Sequence, residues 1–234
     1  MKWILVTGSA KRLGADICLK LAEQKQAVVI HYRTSKKEAL ETAEKCRLLA
    51  AQAEVIQGDF SSQSTLDAFI DEYLKRFPDT KGLVNNVGNY LIKTASNTSL
   101  TEWHDLFQTN LTTPFTLIKA LAPSIKQAAG SIVNLGRSGA ALSSTYSPIY
   151  NLTKTALETL TQSFALEFAP HKVNVNMVSP GYLVNSVDMQ PFEKFPMKRP
   201  GHLSEVSHLV AFLMRPENQY ITGQNIEVAG AFRA

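Results

Sequence analysis

The sequence predicts an α/β fold, a doubly wound and mostly parallel sheet with helices on both faces, built as a single domain. Three observations carry this. Short apolar, β-rich runs recur seven times along the chain, and amphipathic helical patterns fill most of the gaps between them. The third is size: 234 residues with 44% hydrophobic content supply one large core, and no linker or low-complexity stretch divides them. Strands and helices alternating at these lengths imply right-handed crossovers and a sheet covered on both sides.

The elements follow in order. Trp3-Ile4-Leu5-Val6 reads as a short buried strand, and Leu13, Ile17 and Leu21 then fall on one face of a helix. Strands are expected at 3–7, 27–31, 54–57, 83–85, 131–135, 173–178 and 225–228, and helices at 13–23, 35–50, 64–76, 101–124, 147–168 and 204–214.

Composition excludes several classes. The net charge is +4 and the basic residues are scattered, which does not describe a nucleic-acid groove. The 3–6 run is too short for a signal peptide or a membrane span, and no Lys/Arg tract adjoins an amphipathic anchor. Cys18 reads as a small core residue, and Cys46, among Glu44, Lys45 and Arg47, as partly exposed. No CxxC pair exists, and His31, His104, His171, His202 and His208 do not cluster, so no metal is expected. A reducing, cytoplasmic setting fits two unpaired thiols.

In such sheets ligands bind beyond the carboxyl ends of the strands, so the residues after each strand hold the functional information. After the first comes Thr7-Gly8-Ser9-Ala10-Lys11-Arg12-Leu13-Gly14, a glycine-bearing turn whose amides can approach a phosphate at a helix N-terminus. Its spacing is not GxGxxG. Lys11 and Arg12 inside it favour a cofactor with extra negative charge, or are simply exposed basic residues of a turn. After the second come His31-Tyr32-Arg33-Thr34-Ser35, with no acid to hold a ribose 2′-hydroxyl. Arg33 can fork onto a 2′-phosphate with Thr34 or Ser35 adding hydroxyls, or be a solvated arginine. Ser35 is also a candidate helix cap, with Glu38 at the capping-box position.

Gly58-Asp59-Phe60 follows the third strand. There a carboxylate can accept from an adenine amino group while the ring flanks the base, or Asp59 can merely order a turn before a helix capped by Ser61 or Ser62. Asn85-Asn86-Val87-Gly88 follows the fourth, where Gly88 lets backbone pass close to a ribose and the amides either meet the ligand or tie strands together. Tyr150 and Lys154 stand four apart on a helix and therefore share a face. A cation beside the phenol lowers its pKa, and Tyr150 then serves as an acid/base toward a carbonyl.

Taken together these residues resemble the short-chain dehydrogenase/reductase family over essentially the whole chain. The matching elements, in family order, are the Thr7-Gly8 loop ending at Gly14, Asp59, Asn85-Asn86-Val87-Gly88, and Asn110 in a central helix. They continue with Tyr150 and Lys154, Ser179-Pro180-Gly181, and Ile221-Thr222-Gly223-Gln224. The resemblance implies a Rossmann-like seven-stranded sheet, usually in homodimers or homotetramers, and an oxidoreductase acting on a small-molecule substrate. It implies Tyr150 as general acid/base, Lys154 holding the nicotinamide ribose and tuning Tyr150, and Asn110 positioning a water relay behind Lys154. Pro180 and Gly181 would abut the nicotinamide. Gly8, Ser9, Lys11, Arg12, Leu13, Gly14, His31, Arg33, Thr34, Ser35, Asp59, Phe60, Asn86, Val87 and Gly88 would line the rest of an NADP(H) site.

Two departures matter. Arg12 replaces the middle glycine of the family's loop, giving the Lys-Arg-Leu-Gly form that resembles NADPH-using members such as pteridine reductases. The 31–35 segment resembles that group and many 3-oxoacyl-carrier-protein reductases. The second departure is Arg137, which stands where the family's substrate-orienting serine should fall, three residues after Asn134. Three arrangements answer it. Ser138 takes over by a one-residue shift; or Arg137 faces the pocket, donates to the substrate carbonyl and favours carboxylate or phosphate groups; or catalysis is lost and the chain is an NADP(H)-binding sensor or scaffold. The segment 182–202, with Met189, Phe192, Phe195 and Met197 on an apolar face, is expected to cover the substrate or to be an ordinary packed connection.

Overall fold

A computed structural model of the chain describes residues 1–141, 144–184 and 186–232. Seven strands form one sheet: β1 (Trp3–Val6), β2 (Ala27–Tyr32), β3 (Ala53–Gln57), β4 (Thr80–Asn85), β5 (Ser131–Leu135), β6 (Asn174–Pro180) and β7 (Asn225–Val228). Their order is β3-β2-β1-β4-β5-β6-β7, and every neighbouring pair is parallel. The direction of winding reverses between β1 and β4, so the crevice for a ligand opens above these two strands.

Among the described residues the α-helices are α1 (Arg12–Glu23), α2 (Lys36–Leu48), α3 (Gln63–Arg76), α4 (Leu100–Phe107), α5 (Thr113–Ala128), α6 (Pro148–Phe168) and α7 (Leu203–Leu213). Because side chains alternate across a strand, β1 feeds two cores. Ile4 and Val6 pack with Ile17 and Leu21 of α1, Ala43 of α2 and Val210 of α7. Leu5 packs on the other face with Leu66 of α3, Leu117 of α5 and Phe168 of α6. Each fully buried leucine or phenylalanine contributes about 2–3 kcal/mol through removed apolar area.

The expected strands and helices are all present, with ends displaced by a few residues. Two expectations change. Cys46 is fully buried, because Ala39, Thr42, Ala43 and Cys46 recur at helical spacing and form the inner face of α2, while its charged neighbours point outward. Burial pushes its thiol up to about 11. The helix expected over 101–124 is broken by a π turn, Gln108–Thr112, between α4 and α5. Pro114 has no N–H for the carbonyl of Asn110, and the Thr113 hydroxyl donates instead to the Gln108 carbonyl at 2.9 Å. That wider turn holds Asn110 fully buried against the site.

No helix among the described residues is long and apolar enough to cross a membrane.

Candidate active site

The loop after β1 is held from three sides. The Thr7 hydroxyl accepts from the backbone amides of Asn86 and Val87 at 2.9 and 3.1 Å. The Asn86 side-chain amide donates to the carbonyls of Thr7 and Gly8 at 2.9 and 3.1 Å. The Gly8 amide donates to Nδ1 of His31 at 2.9 Å, which leaves Nε2 protonated and facing the Gly58 carbonyl at 3.2 Å. Burial pushes the His31 imidazole down to about 4, so it stays neutral in this role. Gly8 has φ +61°, and a Cβ on Gly14 would stand 2.5 Å from the Gly8 carbonyl oxygen. Arg12, at the family's glycine position, adopts φ +57°, a left-handed conformation that costs about 1–2 kcal/mol for a residue with a Cβ.

Several residues expected at the ligand also hold the loop itself. His31, Asn86 and the Ser9 hydroxyl, which donates to the Val6 carbonyl at 2.7 Å, shape the loop, and His31 and Asn86 also line the hollows beside it. The Phe60 ring is buried, stacks on His31 at 4.3 Å and lines the same hollow as Asp59. Ser35 stands at the cap position of α2, yet its side chain makes no capping bond. Asp59 accepts from the Ser61 amide at 3.0 Å, which holds its carboxyl below the usual range, with a smaller effect from Arg33. Helix α3 is capped by Ser62, whose side chain accepts from the Thr65 amide. Asn85 donates to Asn134 at 2.8 Å, and Asn134 to Thr161, an amide ladder tying β4, β5 and α6 together.

Four adjoining hollows form a trough along the carboxyl ends of the strands. One contains Gly8, His31, Arg33, Gly58 and Asp59; the next, Gly8, Lys11, Arg12, Leu13 and Gly14. A third contains Asn86, Gly88, Tyr150, Lys154 and Pro180, and the fourth, of about 290 Å³, contains Arg12, Arg137, Tyr150, Gly181 and Asp188. Gly8, Asn86 and Tyr150 each belong to two hollows and join them into one path. The trough suits a dinucleotide. Helix α1 points its N-terminus into it with no acidic residue in the first turn, and the Lys11 cap offers no side-chain acceptor, so the first amides remain available to an anion. Val87 lies beside Gly8, where it packs closely on the loop. Thr34, like Arg33, is exposed at the outer end.

At the inner end, Lys154 is buried and donates to the Leu135 carbonyl at 2.9 Å. Desolvation pushes its ammonium down to about 8. Asn110 accepts from the Asn89 amide at 2.8 Å and donates to the Asn89 carbonyl and the Thr153 hydroxyl at 2.9 and 3.1 Å. A Cβ on Gly88 would lie 3.3 Å from Asn110 Oδ1 and 3.5 Å from Lys154 Nζ, so both polar ends converge on that backbone.

The Tyr150 phenol differs from its expected state. Burial pushes it up to about 12; the Arg137 guanidinium pulls it down and the Asp188 carboxylate pushes it further up. Lys154 Nζ stands 5.8 Å from the ring centroid.

The two residues after Gly136 have different hydrogen-bond partners. Ser138 is buried, with its hydroxyl donating to Glu227 Oε2 at 3.0 Å and its amide to the Pro180 carbonyl at 2.9 Å. The Gly139 amide donates to Glu227 Oε1 at 3.1 Å. Glu227 of β7 thus holds both residues, and Ser138 lines the same cleft as Tyr150 with its hydroxyl engaged. Arg137 also lines the cleft beside Tyr150 and donates to Asn151 Oδ1 at 2.8 Å.

Sequence reasoning missed Glu227, Asn151, Tyr90 and Asp188. Tyr90 meets Tyr150 edge-on at 4.7 Å and donates to Asp188 at 2.7 Å. Only Asn151 left a local signal, as a polar neighbour of Tyr150 on the same helix. The segment after β6 is split: Phe195 is buried against Tyr182 and Phe232, whereas Phe192 and Met197 are exposed. Both ends of this segment are joined, with Val184 donating to the Gly201 carbonyl and Gly201 to the Tyr182 carbonyl, each at 2.9 Å.

A doubly wound parallel sheet with an anion-ready glycine turn and a Tyr-Lys pair on one helix defines a dinucleotide-dependent oxidoreductase. Residues 8–232 match the family described as enoyl-(acyl carrier protein) reductase. The 3-oxoacyl-[acyl-carrier-protein] reductase FabG of Staphylococcus epidermidis is 32% identical over 242 residues, covering 98% of each chain. Among solved structures, acetoin dehydrogenase YohF of Salmonella typhimurium superposes with TM-score 0.90 at 28% identity, over 99% of this chain and 95% of that one. A blue fluorescent protein from a metagenomic library, solved with NADPH, superposes with TM-score 0.91 at 25% identity, over 100% and 98%. The chain belongs to the short-chain dehydrogenase/reductase family, and its cofactor is of the NAD(P) type.

Proposed function

We propose that the protein is an NADPH-dependent reductase of a small carbonyl or imine compound, with Tyr150 as proton donor. The observation that carries this is the cleft that places Tyr150 between the Lys154–Asn110 corner and Arg137. A bound nicotinamide dinucleotide supplies hydride. The chain's own residues do the remainder. The α1 N-terminus with Lys11 and Arg12 holds the pyrophosphate, and Arg33, Thr34 and Ser35 hold a 2′-phosphate where no acid repels it. Asp59 and Val87 flank the adenosine end, and Pro180 and Gly181 close the nicotinamide end.

Tyr150 gives its phenolic proton to the substrate oxygen as negative charge develops there. A phenol held protonated by burial is in the correct state for reduction. Lys154 supplies positive charge at the ribose side, and Asn110 keeps the loop at Asn89 and the Thr153 hydroxyl in register behind it. The segment 182–202 covers the substrate, with Asp188 reaching down to Tyr90. The protein works in the cytoplasm as a homodimer or homotetramer.

The cofactor assignment is tested by titrating NADPH and NADH separately. Tighter NADPH binding that Arg33→Ala abolishes supports it, and equal affinities refute the roles of Arg12 and Arg33. The chemistry is tested by NADPH oxidation with a panel of ketones, 3-oxoacyl thioesters and dihydropterins. Turnover that Tyr150→Phe lowers by about 10²-fold or more supports general-acid catalysis. Cofactor binding without any turnover selects instead a sensor or scaffold, the reading that Arg137 at the serine position would then favour.

A further inference from the structure

Arg137 is the feature that a generic reductase of this family does not need. Its guanidinium lines the cleft occupied by Tyr150 and is fixed by Asn151, a buried side chain immediately after Tyr150 in α6. Among the described residues the guanidinium makes one side-chain hydrogen bond, and no carboxylate lies within ion-pair distance of it. The loop that bears it is clamped from behind, since Glu227 holds Ser138 and Gly139. The one carboxylate of the cleft that acts on Tyr150, Asp188, accepts from Tyr90 at 2.7 Å. A half-buried, unpaired and positioned arginine presents a fork matched to a carboxylate.

We propose that Arg137 binds a carboxylate of the substrate, so that the substrate class is a small oxo acid. This rests on the reductase reading of the same site and narrows it. Because Asn151 anchors the guanidinium next to Tyr150, the carboxylate lies one or two carbons from the carbonyl, as in a 2- or 3-oxo acid. The reaction balances simply. Hydride from the reduced nicotinamide forms the new C–H bond at the carbonyl carbon, and the Tyr150 proton forms the O–H bond. The carboxylate stays ionised on Arg137, a hydroxy acid leaves, and a proton from solvent restores Tyr150.

The experiment compares matched acids and esters: pyruvate with methyl pyruvate and acetoacetate with methyl acetoacetate. In the protein with NADPH, kcat/KM for one acid exceeds that for its ester by about tenfold or more, the scale of a charge-assisted hydrogen bond. Arg137→Ser removes the preference and Arg137→Lys keeps part of it, with NADPH affinity unchanged in both. Equal use of acid and ester, or a preference that survives Arg137→Ser, overturns the proposal while leaving the reductase reading intact. If no carbonyl compound oxidises NADPH, that reading fails by itself, and calorimetry still decides the role of Arg137. Acid binding to NADPH-loaded protein that Arg137→Ser abolishes supports it. No acid binding, or binding indifferent to the substitution, overturns it.

Discussion

Replacing Lys154 with methionine removes the buried ammonium while keeping most of the stem. Lys154 is 4% exposed, and burial takes its ammonium from its ordinary 10.5 to about 8. At about 1.36 kcal/mol per pH unit that gap corresponds to about 3 kcal/mol. The sign follows from proton counts. Between pH 8 and 10.5 the unfolded chain binds the Lys154 proton more readily than the folded one, so the group makes stability rise with pH through this window. Below pH 8 both states are protonated and the desolvation cost is fully present; above 10.5 both are neutral and it is gone. Urea unfolding followed by far-UV circular dichroism, at several pH values from 7.5 to 10.5, measures wild type against Lys154→Met. The difference in unfolding free energy should move by about 3 kcal/mol in favour of the wild type as pH rises. Tyr150, pushed up to about 12, works in the opposite direction above pH 10, and it is present in both proteins. A difference that stays level across the window refutes the buried, desolvated state of Lys154.

Two other expectations concern the loop after β1. Gly14→Ala forces a Cβ to within 2.5 Å of the Gly8 carbonyl and 2.7 Å of the Asn86 amide nitrogen, so NADPH affinity should fall at least about tenfold and stability by about 1–3 kcal/mol. Fluorescence titration and urea unfolding measure both, and wild-type values would show that the loop is not packed as described. His31, with its imidazole lowered from 6.5 to about 4, costs the wild type about 3 kcal/mol of stability as pH falls from 6.5 to 4, a loss absent from His31→Gln. Acid unfolding curves that fall in parallel for the two proteins would count against a buried neutral histidine on the Gly8 amide.

The sequence alone determined what short-range physics controls. Strand and helix follow from the period of apolar residues, the anion-ready turn from glycine and cation placement before Leu13, and the Tyr150–Lys154 pair from four-residue spacing. Tertiary structure decided where hydrogen bonds point and what is desolvated, because both depend on groups that only folding brings together. Ser138 and Arg137 are adjacent in sequence, and nothing local separates their roles. Glu227, 89 positions beyond Ser138, binds the serine hydroxyl, whereas Asn151 binds the arginine. The same holds for Tyr150. Its helical neighbour Lys154 argues for a lowered phenol, but burial outweighs the nearby charges and raises it. The Tyr90–Asp188 bond, spanning 98 positions, has no local signature at all. Periodicity is written into consecutive residues, whereas the state of a buried polar group is set by its whole surroundings.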